Sequence, residues 1–368
     1  MPTDFIPVYQ PSLQGNEKRY VMDCLDSTWI SSKGKYLGLF EEAIAQFVGV
    51  EFASAVSNGT VALHAALLAL GIGEGDEVIV PALTYIASAN AIAYTGATPV
   101  FADSLANTWQ LDPADVKRKI TSRTKAIMLV HLYGHPCDMD AFTALATDNN
   151  LLLIEDCAEA LGTYYNGRHV GTFGHIATFS FYGNKTITTG EGGMVVTNDN
   201  TLYQRTLHFK GQGLATYRQY WHDVVGYNYR MTNICAAIGL AQMEYISSTL
   251  PKKRALAESY RHALDGLPLV IHSEGPGATH SYWMVSILLD TPRHRDPLMT
   301  YLAERKIETR PLFYPINTMP MYSSQFVRCP VAEDIARRGI NLPSWPDLSS
   351  HQIERIAQEI HSYFLSAE

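Results

Sequence analysis

The chain predicts an α/β fold: a large unit built on a mostly parallel sheet flanked by helices, then a smaller α+β unit. Three observations carry that prediction. Strand-like and helix-like segments alternate from residue 77 to residue 156, the pattern of parallel strands joined by crossover helices. Leu151-Leu152-Leu153-Ile154 is apolar without alternation, as a strand covered on both faces requires. Beyond about residue 246 charged residues increase and strand signals weaken, which divides the chain into residues 1–245 and 246–368.

The elements follow in order. The Pro-rich start, Ile6-Pro7-Val8-Tyr9-Gln10-Pro11, is extended, and a helix is expected over about residues 15–26. The polar loop over residues 27–35 carries Trp29, which either lines a pocket or caps the core edge. Ala53-Ser54-Ala55-Val56 reads as a strand end. Ser57-Asn58-Gly59-Thr60 then precedes a helix over residues 61–71 that is apolar nearly all round and therefore buried. Its polar start can cap it, and its free N–H groups also suit a phosphate. His64 in that helix is read as a packed core residue. Gly71-Ile72-Gly73-Glu74-Gly75 superficially matches a glycine-rich dinucleotide loop, but it follows a helix and precedes a strand, so it is a C-cap and turn. Strands are expected at residues 77–81, 98–103, 125–133 and 151–155. Helices are expected from a Thr84 cap to about Tyr94, at 116–120 and at 139–149. A charged helix opening at Lys252-Lys253-Arg254, a weak strand over 282–289 and a final helix over 351–364 fill the smaller unit.

Ligands of such sheets sit beyond the carboxyl ends of the strands. That draws attention to Tyr85, Tyr133-Gly134-His135, Asp156 and residues 180–185. Asp156 ends an apolar strand, where a carboxylate costs free energy unless it meets a charge. A protonated pyridine nitrogen would supply one; capping of the following turn or binding of a cation are the alternatives. Lys185 follows the β-prone run Ala177-Thr178-Phe179-Ser180-Phe181-Tyr182-Gly183 and precedes Gly190, Gly192 and Gly193. Burial between strands disfavours its ammonium form and leaves a nucleophilic amine, suited to a Schiff base with a carbonyl cofactor. A solvated loop lysine is the plain alternative. An anion site at Gly59 and Thr60, an aromatic surface at Tyr85, a carboxylate at Asp156 and an amine at Lys185 together meet the needs of pyridoxal 5′-phosphate. The aromatic stretch Tyr227-Asn228-Tyr229-Arg230 suits phosphate or an acidic substrate.

Bulk properties narrow the classes. A net charge of −8 argues against a nucleic-acid binder that depends on phosphate contacts. With 46% hydrophobic and 17% charged residues the chain can bury a sizeable core. Five cysteines lie scattered without a CxxC pair, as in a protein with reduced thiols. No signal segment and no run of 18 apolar residues stands out, so a cytoplasmic location is expected. No His/Cys/Asp set has metal-ligand spacing, and no metal is expected.

The runs Ser57-Asn58-Gly59-Thr60-Val61-Ala62-Leu63-His64, Glu155-Asp156-Cys157-Ala158-Glu159-Ala160 and Phe179-Ser180-Phe181-Tyr182-Gly183-Asn184-Lys185-Thr186 closely resemble the DegT/DnrJ/EryC1/StrS sugar aminotransferase family of fold-type-I pyridoxal-phosphate enzymes. The likeness extends over nearly the whole chain. It implies that Lys185 forms the imine with the cofactor and shuttles the proton, that Asp156 binds the pyridine nitrogen, and that Glu159 sits near the ring hydroxyl. It implies Tyr85 stacking on the ring and Gly59, Thr60 and Ser180 on the phosphate. Asn228 would reach that phosphate from a neighbouring subunit of a homodimer or dimer of dimers. L-Glutamate is the implied amino donor, with pyridoxamine 5′-phosphate as intermediate. The implied acceptor is C4 of GDP-4-keto-6-deoxy-D-mannose, the alternatives being a UDP- or dTDP-linked keto sugar or a non-catalytic pyridoxal-phosphate-binding sensor. Lys33, Arg230 and Tyr314 are candidate substrate contacts. Lysine at 185, where one relative has histidine and dehydrates, implies transamination. Asn317 departs from the histidine expected in close relatives, which bears on substrate contacts.

Overall fold

The computed structural model describes residues 4–367. Chain order opens with α1 (Glu17–Asp26), α2 (Lys35–Val48), β1 (Phe52–Val56), α3 (Gly59–Leu70), β2 (Glu77–Pro81), α4 (Ala87–Tyr94) and β3 (Thr98–Ala102). It continues with α5 (Pro113–Lys119), β4 (Thr124–Val130), α6 (Met139–Asp148), β5 (Leu152–Asp156), β6 (Tyr164–Tyr165), β7 (Arg168–His169), β8 (Ile176–Ser180), β9 (Gly193–Thr197), α7 (Asn200–Lys210) and α8 (Asn233–Met243). The remainder comprises α9 (Ile246–Ala263), β10 (Leu269–Ile271), β11 (Ala278–Thr279), β12 (Val285–Leu289), α10 (Arg295–Glu304), β13 (Arg310–Pro311), α11 (Pro330–Arg338), β14 (Gly339–Leu342) and α12 (Ser350–Ala367).

The main sheet runs β1-β9-β8-β5-β4-β2-β3. Strands β3, β2, β4, β5 and β8 are parallel; β9 is antiparallel to both of its neighbours. Both faces are covered. Val78 and Val80 pack into one helix layer with α3 and α4, while Ile79 packs into the other with Phe142 of α6. This two-sided burial is why the strands read as unbroken apolar runs.

Helix α3 is buried along most of its length, including His64. Burying leucines such as Leu63 and Leu67 stabilises by roughly 1.5–3 kcal/mol each. Asn58 Oδ1 caps it at Val61 N–H (3.0 Å), and Gly71 ends it in the left-handed region at φ 77°. The first strand of the sequence reading and the C-cap at Gly71 therefore fall where local chemistry puts them. Thr84 does not cap α4: the helix starts at Ala87, and Thr84 Oγ1 instead lies 3.3 Å from Ser88 Oγ. Trp29 does not cap the core; it is exposed, and its carbonyl accepts Asn233 Nδ2.

The smaller layer is an antiparallel sheet, β10-β12-β14-β13, packed on α9, α10 and α12. Helix α9 begins at Ile246, earlier than residue 252, because Pro251 lies inside it rather than at its start. The extended N-terminus, expected with the large unit, crosses to this layer. Ile6 bridges Ile307, and Ser344 N–H donates to Val8 O. Leu312, Ile316 and Ile335 in turn join the core around α3, so the two layers share apolar packing. No helix among the described residues is long and apolar enough to cross a membrane.

Candidate active site

The carboxyl ends of β2, β4, β5 and β8, the start of α3 and the smaller sheet enclose one cavity of about 740 Å³. Its walls include Gly59, Thr60, Tyr85, Asp156, Glu159, Ser180 and Lys185. Seven residues singled out in the sequence thus converge, although they span 127 positions (185 − 59 + 1).

Asp156 is buried, accepting Ser88 Oγ–H (2.8 Å) on Oδ2 and Ala158 N–H (3.1 Å) on Oδ1. Burial raises its pKa; Ser88, Ala158 and the charge of Lys185 oppose but do not cancel the shift. Its neighbour Glu155 points to the other face of the strand. There it accepts His131 Nε2 (3.0 Å) and the N–H groups of Gly171, Phe173 and Gly174. Burial alone would raise Glu155, but His131 and these amides together hold it below the ordinary carboxylate range. Glu155 therefore binds a distant loop rather than the turn after its strand, while Asp156 takes one N–H of that turn, from Ala158, and looks into the cavity without a charged hydrogen-bond donor.

Lys185 sits where the sequence placed it, in the loop between β8 and β9, and is mostly buried. Its N–H donates to Tyr182 O (2.9 Å), and its own carbonyl accepts Tyr9 Oη–H (2.6 Å). Nζ lies 3.6 Å from Glu159 Oε1 and 3.9 Å from the Trp283 ring centroid. Burial lowers its pKa, opposed by Glu159 and Asp156. Glu159 is pushed up to about 7 by burial, against Lys185 and the Tyr133 N–H that donates to its Oε2 at 2.7 Å.

The phosphate-type cradle is steric as well as electrostatic. A Cβ on Gly59 would come within 2.8 Å of Ser180 Cβ, and one on Gly193 within 2.5 Å of Asn58 O. Only glycine lets the helix start, Ser180 and β9 meet so closely. Asn58 takes the Val61 N–H, leaving the main-chain N–H groups of Gly59 and Thr60 at the positive helix end without an acceptor among the described residues. Thr178 Oγ1 and Asn184 Oδ1, on the same cavity wall, are buried without hydrogen-bond partners. An uncompensated carboxylate, free N–H groups at a helix start, orphaned polar atoms and a buried amine fit a planar cation carrying an aldehyde and a phosphate. That is the chemistry of pyridoxal 5′-phosphate.

Asn228, Arg230, Lys33 and Tyr314 are exposed and do not line the cavity. Asn228 Oδ1 accepts Arg230 Nε (3.1 Å), and Tyr314 lies against Arg295. Asn317 is buried, and its Nδ2 donates to Val327 O (2.7 Å). Sequence reasoning missed Ser88, Glu191, Trp283, Arg310 and Asn341 in the cavity wall. Ser88 could have been found as the position after the β2 strand turn, one helical turn beyond Thr84. The others lie on segments whose approach to the site is tertiary.

Fold and site together define a fold-type-I enzyme of the lysine–aldehyde cofactor class. A family model described as the DegT/DnrJ/EryC1/StrS aminotransferase family matches residues 11–361, and the chain belongs to that family. It is 62% identical to GDP-perosamine synthase of Escherichia coli O157:H7, over 98% of this chain and 99% of that one. It is 53% identical to GDP-perosamine synthase of Vibrio cholerae, again over 98% and 99%. Among solved structures, DesV of S. venezuelae, in complex with a ketimine intermediate, superposes with a TM-score of 0.90 at 35% identity. That match covers 95% of this chain and 94% of the other.

Proposed function

We propose that this chain is a pyridoxal-5′-phosphate-dependent aminotransferase that moves the amino group of L-glutamate to C4 of GDP-4-keto-6-deoxy-D-mannose. The products are GDP-perosamine, a precursor of O-antigen-type polysaccharide, and 2-oxoglutarate. The observation that carries the chemistry is the one cavity lined by Lys185, Asp156 and a free helix start at Gly59 and Thr60. The similarity to two GDP-perosamine synthases supports the sugar.

When bound, the cofactor supplies a protonated conjugated ring that accepts electrons and makes a C–H beside nitrogen acidic. The chain's own residues do the rest. Gly59 and Thr60 N–H and Ser180 Oγ would hold the phosphate. Asp156, its carboxylate fixed by Ser88, would keep the ring nitrogen protonated. Tyr85, backed by Phe313 at 5.6 Å between ring centroids, would pack on the ring. Lys185 Nζ would carry the proton from the donor's α-carbon to the carbon that was the cofactor's aldehyde, and in the second half-reaction from that carbon to C4 of the sugar. Burial lowers its basicity, which favours release of the proton, and Glu159 would stabilise the ammonium form. Asn228 completes the phosphate site from the partner of a homodimer or dimer of dimers, in the cytoplasm. Lys33, Arg230 and Tyr314 would meet the nucleotide sugar in that assembly.

The test is direct. L-Glutamate should convert the bound cofactor to its amine form, seen as loss of the visible band. The converted protein should then transfer nitrogen to the GDP-linked keto sugar in preference to the UDP and dTDP counterparts. Initial rates should be ping-pong. A band that ignores glutamate would leave a cofactor-binding protein without catalysis. Preference for a UDP or dTDP sugar would move the assignment to that substrate.

A further inference from the structure

We infer that Trp283 is the positioning residue for the Lys185 amine: its ring face carries Nζ, and its indole N–H fixes the peptide before Lys185. Nothing in the sequence marks it, since it lies 98 positions away (283 − 185) on the approach to β12.

The geometry is bipartite. Lys185 Nζ stands 3.9 Å from the Trp283 ring centroid, within cation–π range, and on the other side 3.6 Å from Glu159 Oε1. Trp283 Nε1–H donates to Asn184 O at 2.6 Å, so one side chain grips both the main chain and the head group of the catalytic loop. The tryptophan is itself immobilised. It is buried, stacks near-parallel to Tyr133 (10° between planes), and its carbonyl accepts the Nζ of the buried Lys253 at 3.0 Å. Tyr282 before it holds φ 50° and Tyr133 holds φ 57°, a conformation costly for bulky residues. Strained backbone therefore lies on both sides of the stack: Tyr133 aims its N–H at Glu159, and Tyr282 sets the direction of Trp283.

Glu159, the more distant Asp156 and the Trp283 π face act on the amine; Glu191 and Arg310 line the same cavity, and Tyr9 Oη donates to the Lys185 carbonyl. Both carboxylates can titrate, so their hold on the amine varies with pH. The tryptophan face cannot, so it offers the ammonium an attraction that does not depend on their protonation.

The inference rests on Lys185 being the working amine, and it is tested without cofactor turnover. Apoprotein is pulsed with an acylating reagent across a pH series, and modification of Lys185 is measured by peptide mass spectrometry against the exposed Lys18. Trp283→Leu should lower the Lys185 titration midpoint by about half to one pH unit, making the free amine about three- to tenfold more abundant at pH values well below the midpoint. Trp283→Phe keeps a π face and should titrate near wild type, while faster amide exchange at Lys185 reports the lost clamp on Asn184. If Trp283→Leu does not fold, biosynthetic replacement of tryptophan by mono- and trifluorotryptophan conserves shape, and the midpoint should fall stepwise with fluorine number. Titration unchanged in Trp283→Leu, or unchanged across the fluorinated series, overturns the inference. Failure of the wild-type protein to take up cofactor would instead overturn the functional reading and leave this measurement intact.

Discussion

Lys253 offers a stringent measurement of how the protein carries charge beneath its active site. Its side chain is fully buried, and Nζ donates to the carbonyls of Trp283 and Ser344. No carboxylate lies within ion-pair reach among the described residues. Burial pushes its pKa down from 10.5 to about 7. The sign follows from linkage. Between about 7 and 10.5 the unfolded chain holds this proton and the folded one does not, so stability rises with pH. The contribution is fully present above 10.5 and is lost as pH falls through about 7. That window corresponds to roughly 5 kcal/mol in all, or about 1.4 kcal/mol per pH unit within it. Lys253→Met keeps the chain length and removes the titration. It also leaves two buried carbonyls without a donor, a pH-independent loss of about 1–3 kcal/mol each. Urea denaturation of the apoproteins at a series of pH values from neutral to about 9 should therefore show a gap that widens in favour of wild type by about 1.4 kcal/mol per unit. Parallel stability curves for the two proteins would refute a neutral buried amine and mean that the two carbonyls hold it as ammonium.

Lys185→Ala should abolish turnover and the visible cofactor band, checked by spectrum and product assay; retained turnover would remove the lysine from the mechanism. Gly59→Ala forces a methyl to within 2.8 Å of Ser180 Cβ, a steric cost of about 1–3 kcal/mol, so affinity for the phosphorylated cofactor should fall about 5- to 150-fold in equilibrium titration. Dephosphorylated pyridoxal, which does not use the cradle, should bind the variant and wild type alike. Ser88→Ala removes the O–H donor to Asp156, worth about 1.5–3 kcal/mol to a buried carboxylate, and should weaken cofactor binding at least tenfold while leaving the fold intact by circular dichroism. Mixing inactive Lys185→Ala with Asn228→Ala subunits should rebuild native sites in mixed dimers, about a quarter of all sites after random exchange; no gain over the separate proteins would place Asn228 outside a shared site.

Much of this site is legible because the sheet translates sequence position into place. A residue just past a parallel strand must stand at the carboxyl edge, so Tyr85, Asp156 and Ser180 could be brought together from strand ends alone. Lys185 was legible from its flanking strands and glycines, and the helix start at Gly59 from its capping residues. What escaped depends on long-range approach. Trp283, Arg310 and Asn341 come from the smaller layer, whose weak strand signals give no register against the large sheet. The burial of Lys253 was hidden by its charged neighbours Lys252 and Arg254: on a helix the three face different directions, and only one meets the core. The crossing of Ile6 and Val8 to the smaller layer is likewise a pairing of edges far apart in sequence, decided by Ile307 and Ser344 rather than by anything local.

The adjacent carboxylates Glu155 and Asp156 explain why this edge binds a ligand at all. They occupy one strand, share near-complete burial and differ by one residue, which turns them to opposite faces of the sheet. The protein satisfies Glu155 itself with a histidine and three amides, so no free energy remains to be gained there by an outside cation. The resulting grouping of His131, Glu155 and Cys157 looks like a metal set by composition, yet its carboxylate is already saturated. Asp156 receives only two neutral donors and stays above its ordinary pKa. The free helix start and the buried amine of Lys185 leave matching deficits of the other sign a few residues away in space. A ligand that brings a ring cation, a phosphate and an aldehyde relieves all three at once, which is why a fold with several buried charges carries this chemistry at one edge of one sheet.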